Sequence, residues 1–221
     1  MRDADVPLSE LGEEQSRALG TWMSRLPDHE KPDVVLVSPY VRARKTADLI
    51  AEMGGLVQGT APAMLDERLR EKEFGVLDGL TTLGIAASFP EQAEFRRLLG
   101  KFYHRPPGGE SWADVILRLR SALDTLSLHY SGRRVLIVSH QVVVLCLRYL
   151  LENLDEERIL AIDRKGDIAN CGVTEYVCED NADPKGSAGA RMILKRYNFT
   201  APLTEAGTPV TRKPDAKVAV R

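Results

Sequence analysis

The chain has 221 residues, 43% hydrophobic and 28% charged, with a formal net charge of −2. That length supports one domain with a real core, and the near-neutral balance leaves no global field for nucleic acid, so any basic site must be local. Cys146, Cys171 and Cys178 are too few and too apolar in context for a disulfide framework and fit a reduced, cytoplasmic protein.

Residues 8–26 read as an amphipathic helix, with Ser9 as N-cap and Ala18, Leu19, Trp22, Met23 and Leu26 on one face. Residues 28–32 break it, and 33–38 form the first strand. Pro39 suits the first turn of a second helix over 42–53, where Ala43, Ala47 and Ile50 recur at helical spacing. Gly54-Gly55 can supply its left-handed end. A weak strand is expected near 56–59, while 65–79 is charge-dense and has no clear assignment. Pro106-Pro-Gly-Gly109 marks a loop. Ser111 then caps a long helix, with Asp114 in the capping-box position and Val115, Leu119, Ala122 and Leu126 on one face. Residues 133–139 predict a second buried strand and 142–154 a helix. Late strands follow at 171–177 and 192–197, joined by a polar loop over 180–189. Residues 1–200 are thus read as one domain and 201–221 as a disordered tail. The strand–helix alternation predicts an α/β fold, a three-layer αβα sandwich on a mostly parallel sheet. The longest apolar stretch, 135–151, is interrupted by Ser139-His140-Gln141 and by Arg148, so no membrane span is expected. No signal peptide and no metal-type His/Cys cluster are read.

Two strand ends carry the chemistry. The first strand stops at Ser38-Pro39, which puts Arg42 in the first turn of a helix at the carboxyl edge of the sheet. Ligands of open α/β sheets bind at that edge, helix N-termini favour anions, and a guanidinium there points to phosphate or carboxylate. The second strand, Val135-Leu-Ile-Val138, ends in Ser139-His140-Gln141 at the start of the next helix, again on the carboxyl edge. His140 opposite Arg42 makes a candidate anion pocket.

Five pieces in order resemble the histidine phosphatase superfamily, the phosphoglycerate-mutase-like fold. They are Pro7-Leu-Ser-Glu-Leu-Gly12 with Gln15, Ser38-Pro-Tyr-Val-Arg-Ala-Arg-Lys-Thr-Ala47, and Leu69-Arg-Glu-Lys-Glu-Phe-Gly75 with Asp78-Gly79. Gly108-Gly-Glu-Ser111 and Val138-Ser-His-Gln141 complete the set. The resemblance implies a phosphate-clamping role for Arg42, a donor role toward a phosphoryl oxygen for His140, and protonation of the leaving oxygen by Glu71. Glu73 competes for that last role. Glu71 lies in a charge run, which alone reads as a solvated face, and its basic neighbours would lower its pKa; burial or the ligand's charge would have to raise it. Gln141 is more like the phosphatase than the mutase branches. Tyr103, Arg105 and Glu110 fall in the region that borders substrate in relatives. No metal or other cofactor is implied, since arginine and histidine supply the positive charge.

The resemblance also implies a nucleophilic histidine in an Arg-His-Gly motif on a first strand, and these 221 residues contain none. By resemblance that strand lies inside the sheet, between the strand ending at His140 and the one at 171–177. The chain as it stands is therefore expected to be catalytically incomplete, with the sheet missing its first, interior strand. A chain shortened upstream and a family member that has lost the strand both account for this. The expected function is a phosphatase acting on a small phosphorylated metabolite through a phosphohistidine. A phosphomutase or a non-catalytic phosphate-binding member is the alternative. The expected partners are that substrate or inorganic phosphate, with no nucleic acid, no membrane and room for a homodimer.

Overall fold

In a computed structural model, residues 2–56, 63–181 and 189–211 are described. A 3-10 turn at Asp3–Asp5 precedes α1 (Glu10–Ser24), β1 (Val34–Val37), α2 (Val41–Gly54) and β2 (Met64–Leu65). Next come α3 (Thr82–Ser88), α4 (Pro90–Tyr103), α5 (Trp112–His129), β3 (Val135–Val138), α6 (Gln141–Leu151) and α7 (Glu156–Arg164). The antiparallel pair β4 (Val173–Asn181) and β5 (Gly189–Phe199) and the short helix α8 (Ala201–Glu205) complete the chain.

The parallel sheet runs β2-β1-β3, with Val34 to Val37 in register with Val135 to Val138. Alternation along β1 sends its side chains to two layers. Val34 and Leu36 join Val115, Leu119, Val143 and Leu145 beneath α5 and α6. Val35 and Val37 join Tyr40, Ala43 and Ala47 beneath α2. This is the three-layer α/β arrangement expected. Between β3 and β4 the backbone hydrogen bonding stops: β3 pairs only with β1, and β4 only with β5, among the described residues. Leu136 of β3 and Val173 of β4 nevertheless pack on one cluster with Leu19, Met23 and Ile50.

Local signals explain most element ends. Ser9 Oγ accepts from Gly12 N at 3.2 Å, and Gly55 closes α2 in the left-handed region at φ 65°. Ser111 and Asp114 make the full reciprocal box at the start of α5. The charge-dense stretch 65–79 is built of β2 and two 3-10 turns, Glu67–Leu69 and Gly75–Leu77.

The tail needs correction. Residues 201–205 are helical, Leu203 is fully buried, and Gln15 Nε2 donates to Pro209 O at 2.7 Å and Thr211 Oγ1 at 2.9 Å. The Pro202–Leu203 pair packs, and a buried glutamine on α1 ties down the backbone that follows, so order extends at least to residue 211. Residues 57–59 of the strand expected near 56–59, the middle of the 180–189 loop and residues 212–221 lie outside the described residues. No helix among the described residues is long and apolar enough to cross a membrane.

Candidate active site

Because β1 and β3 are parallel and in register, their ends bring Ser38 and His140 together: Ser38 Oγ lies 2.7 Å from His140 Nε2, and both residues are buried. Tyr40, at the N-cap of α2, sets its ring at 4.9 Å from the His140 ring, edge to face. The Arg42 guanidinium lies 4.9 Å over the same Tyr40 ring. Tyr40 is thus the spacer between the arginine and the histidine, in an arrangement that combines aromatic and cation–π contacts.

Arg42 already grips an oxyanion. Its two terminal nitrogens donate to Asp3 Oδ2 at 2.9 Å, Asp3 Oδ1 at 3.3 Å and Asp3 O at 2.7 Å. Fork-to-carboxylate geometry of this kind is what a phosphate would also use. His140 is the N-cap of α6, yet its side chain makes no capping bond, so the first N–H groups of α6 are not closed off by it. Burial, then the positive charges of Arg42 and Arg118, push the His140 imidazolium down to about 3, so the ring is neutral near pH 7.

Glu71 reaches the same place from the 66–75 segment. Its Oε1 accepts from Lys72 N at 2.8 Å, and the N–H of Val142 in the first turn of α6 also acts on it. Burial raises the Glu71 carboxyl above its ordinary value, against the lowering effects of those N–H groups and of Arg42. The lowering expected from basic neighbours is therefore outweighed by desolvation. Glu73 differs: its side chain is 46% exposed and accepts from Tyr40 OH at 3.2 Å.

The remaining predicted residues are held elsewhere. Gln141 Nε2 donates to Asp167 Oδ1 at 2.9 Å. The Tyr103 hydroxyl donates to Glu156 on α7, and Arg105 pairs with Asp114 through Nε at 2.7 Å. Glu110 is buried and receives Arg70 Nη2 at 2.7 Å, Arg118 Nε at 2.9 Å and Glu73 N at 3.1 Å. Burial alone would raise the Glu110 carboxyl, but these donors hold it below its usual range. The loop before it is fastened to the 73–76 turn: Glu110 N donates to Glu73 O at 2.9 Å, and a Cβ on Gly109 would lie 2.7 Å from that same oxygen. Glycine there permits the close approach. Glu110 thus braces the segment carrying Glu71, and none of Tyr103, Arg105 and Glu110 bonds to Arg42 or His140.

Sequence reasoning left Ser38, Tyr40 and Arg118 without roles. Ser38 and Tyr40 stand inside the quoted Ser-Pro-Tyr-Val-Arg motif, so parallel register of the two strands was the signal that could have found them. Arg118 Nη2 reaches Glu71 O at 3.3 Å from α5, whose register was read only for its apolar face.

The family model of the histidine phosphatase superfamily (branch 1) matches residues 1–184. The 2,3-bisphosphoglycerate-dependent phosphoglycerate mutase 2 of Gloeobacter violaceus is 32% identical over 163 residues, covering 72% of this chain and 70% of that protein. The bifunctional protein Rv2228c of Mycobacterium tuberculosis is 30% identical over 186 residues, 84% of this chain, which spans about half (46%) of that protein's length. Among solved structures, the mycobacterial glucosyl-3-phosphoglycerate phosphatase Rv2419c in complex with VO3 superposes with a TM-score of 0.70 at 26% identity, covering 90% of each chain. The chain belongs to the histidine phosphatase superfamily.

Proposed function

We propose that this chain carries the phosphoryl pocket of a cytoplasmic phosphatase for a small phosphorylated metabolite, and that these 221 residues bind the phosphoryl group without turning it over. The observation that carries the reading is the convergence of Arg42, His140 and Glu71 at the carboxyl edge of β1 and β3, with the arginine fork already closed on a carboxylate. In the complete reaction a histidine nitrogen attacks phosphorus and the P–O ester bond breaks. Arg42 and His140 hold the equatorial oxygens, and Glu71 gives its proton to the leaving oxygen. Water then attacks phosphorus, the P–N bond breaks, Glu71 takes the proton, and inorganic phosphate leaves. A raised carboxyl pKa suits both halves, since Glu71 must be an acid first and a base second. Its burial and its place beside Arg42 favour it over the more exposed Glu73.

None of the four histidines, His29, His104, His129 and His140, stands in Arg-His-Gly. The break in hydrogen bonding between β3 and β4 supports a missing interior strand, because it falls where the resemblance puts the strand that carries the nucleophile. Loss of a nucleophile costs on the order of 10⁶ in kcat while other pocket groups keep binding. Gln141 favours hydrolysis over mutase chemistry.

The test is calorimetric titration of the whole chain with orthovanadate, alongside an assay with p-nitrophenyl phosphate. The expected result is saturable one-site binding, weakened about 10–100-fold in Arg42→Ala, with turnover no faster than buffer. Robust turnover by the 221 residues would refute the binding-only reading, and absence of vanadate binding would refute the pocket.

A further inference from the structure

We infer that Ser38 is a positioning residue that fixes His140 in the Nδ1–H tautomer and so makes Nδ1–H the donor this ring offers to a phosphoryl oxygen. The inference rests on the phosphoryl reading of the pocket for its consequence, and on the hydrogen bonds around Ser38 for its content.

Ser38 is fully buried at the end of β1, and its backbone N–H is fixed to Val138 O at 3.0 Å, so the hydroxyl has little freedom to wander. Its Oγ accepts from Tyr40 N at 3.3 Å and lies 2.7 Å from His140 Nε2. A serine hydroxyl has one proton and two acceptor positions. With Tyr40 N–H filling one acceptor position, two arrangements remain. If Nε2 carried the proton and donated to Oγ, the Ser38 proton would need another acceptor, and among the described residues none is within reach. If Ser38 donates to a bare Nε2, every group of the trio is used. A buried hydroxyl proton without an acceptor is costly, so the second arrangement prevails. The neutral ring must then carry its proton on Nδ1, for which no protein partner exists among the described residues.

A second observation points the same way. As N-cap of α6, His140 could turn its ring back onto the α6 N–H groups, but it makes no such bond. The ring is drawn across to Ser38 instead, at 2.7 Å. The charged groups that face this ring are Arg42 from α2 and Arg118 from α5, both cations. They disfavour imidazolium, which makes the choice of tautomer, and not the charge, what decides which nitrogen donates in the unliganded site. Among the described residues the bond to Ser38 is the one hydrogen bond that holds the His140 ring.

The test uses the whole chain with ¹⁵N-labelled histidine and long-range ¹H–¹⁵N correlation spectra, which distinguish a protonated from a bare ring nitrogen. The His140 signals are assigned by their loss in His140→Gln. The wild type is expected to show protonated Nδ1 and bare Nε2. Ser38→Ala is expected to populate the Nε2–H form and to weaken orthovanadate binding about tenfold, the scale of one lost charge-assisted hydrogen bond. Ser38→Thr, which keeps the hydroxyl, restores both. A protonated Nε2 in the wild type overturns the inference without reference to any variant, as does an unchanged tautomer in Ser38→Ala. If the tautomer behaves as stated but the wild type binds no vanadate, the phosphoryl reading fails and the hold of Ser38 on His140 stands.

Discussion

Arg42 on Asp3 and Arg118 on Glu110 are both arginine–carboxylate contacts, but their surroundings differ. In the first, the side chains are 23% and 39% exposed, and the carboxylate belongs to a single 3-10 turn near the start of the chain. In the second they are 10% and 12% exposed, and Glu110 is shared with Arg70 and with the backbone of Glu73. An arginine held by one half-exposed carboxylate can exchange it for a ligand. An arginine inside a saturated buried network cannot, because any exchange leaves a desolvated charge without a partner. The comparison separates the arginine proposed to bind, Arg42, from the bracing one, Arg118, although both lie near Glu71.

The sharpest way to break this distinction is Glu110→Ala. It strands Arg118 and Arg70, and chemical denaturation is expected to show a loss of about 3–5 kcal/mol; a loss below 1 kcal/mol would mean the network is not what braces the 66–75 segment. Arg42→Ala should do the reverse, leaving the denaturation midpoint nearly unchanged while orthovanadate affinity falls by about 10–100-fold, as for removal of hydrogen bonds to a charged group. Acid stability probes the histidine on the same pocket. The folded pKa of His140, about 3, lies below its unfolded value, so the unfolded chain takes up the proton first and stability falls with pH from about 6.5 toward 3. Between pH 7 and 5 the wild type is therefore expected to lose roughly 1–2 kcal/mol more than His140→Gln. Equal losses would contradict a buried neutral imidazole. The smallest effect belongs to Asp3→Asn: removing a half-exposed competitor should raise vanadate affinity about two- to fivefold. A decrease would mean that Asp3 assists binding.

β1 and β3 carry a related contrast. Val34-Val-Leu-Val37 and Val135-Leu-Ile-Val138 are nearly the same strand in sequence. All four residues of β1 are buried, whereas only Val138 of β3 is, because among the described residues β1 has a neighbour on each side and β3 has one. A hydrophobic run states that a strand is fit to be covered; the topology decides whether it is.

That limit explains what could be read from the chain. Ser9, Gly55 and the Ser111–Asp114 box marked helix ends because capping is local chemistry, and β1, β3 and α6 followed from runs of apolar residues. Helices α4 and α7 are more polar than α5 and α6, and α4 is broken at Gly100, where φ is 74°. Arg42 and His140 were legible as motif residues at strand ends, and Glu71 only through its place in the Leu69–Gly75 motif. The partners of Tyr103, Arg105 and Glu110, namely Glu156, Asp114, Arg70 and Arg118, were not legible by sequence, since they are chosen by tertiary packing. The order of residues 201–211 was hidden for the same reason: Leu203 is buried by packing, and Pro209 and Thr211 are held by Gln15, 194 and 196 positions earlier.

The most direct test of the central claim, that Arg42, His140 and Glu71 form one phosphoryl pocket, is a crystal structure of the whole chain soaked in orthovanadate. The account predicts vanadium at the carboxyl edge of β1 and β3, its oxygens bonded to the Arg42 guanidinium and to His140 Nδ1, with the Asp3 carboxylate displaced. Vanadate seated elsewhere, such as in the cleft between Gln92, His104 and Pro106, with Arg42 still closed on Asp3, would contradict it.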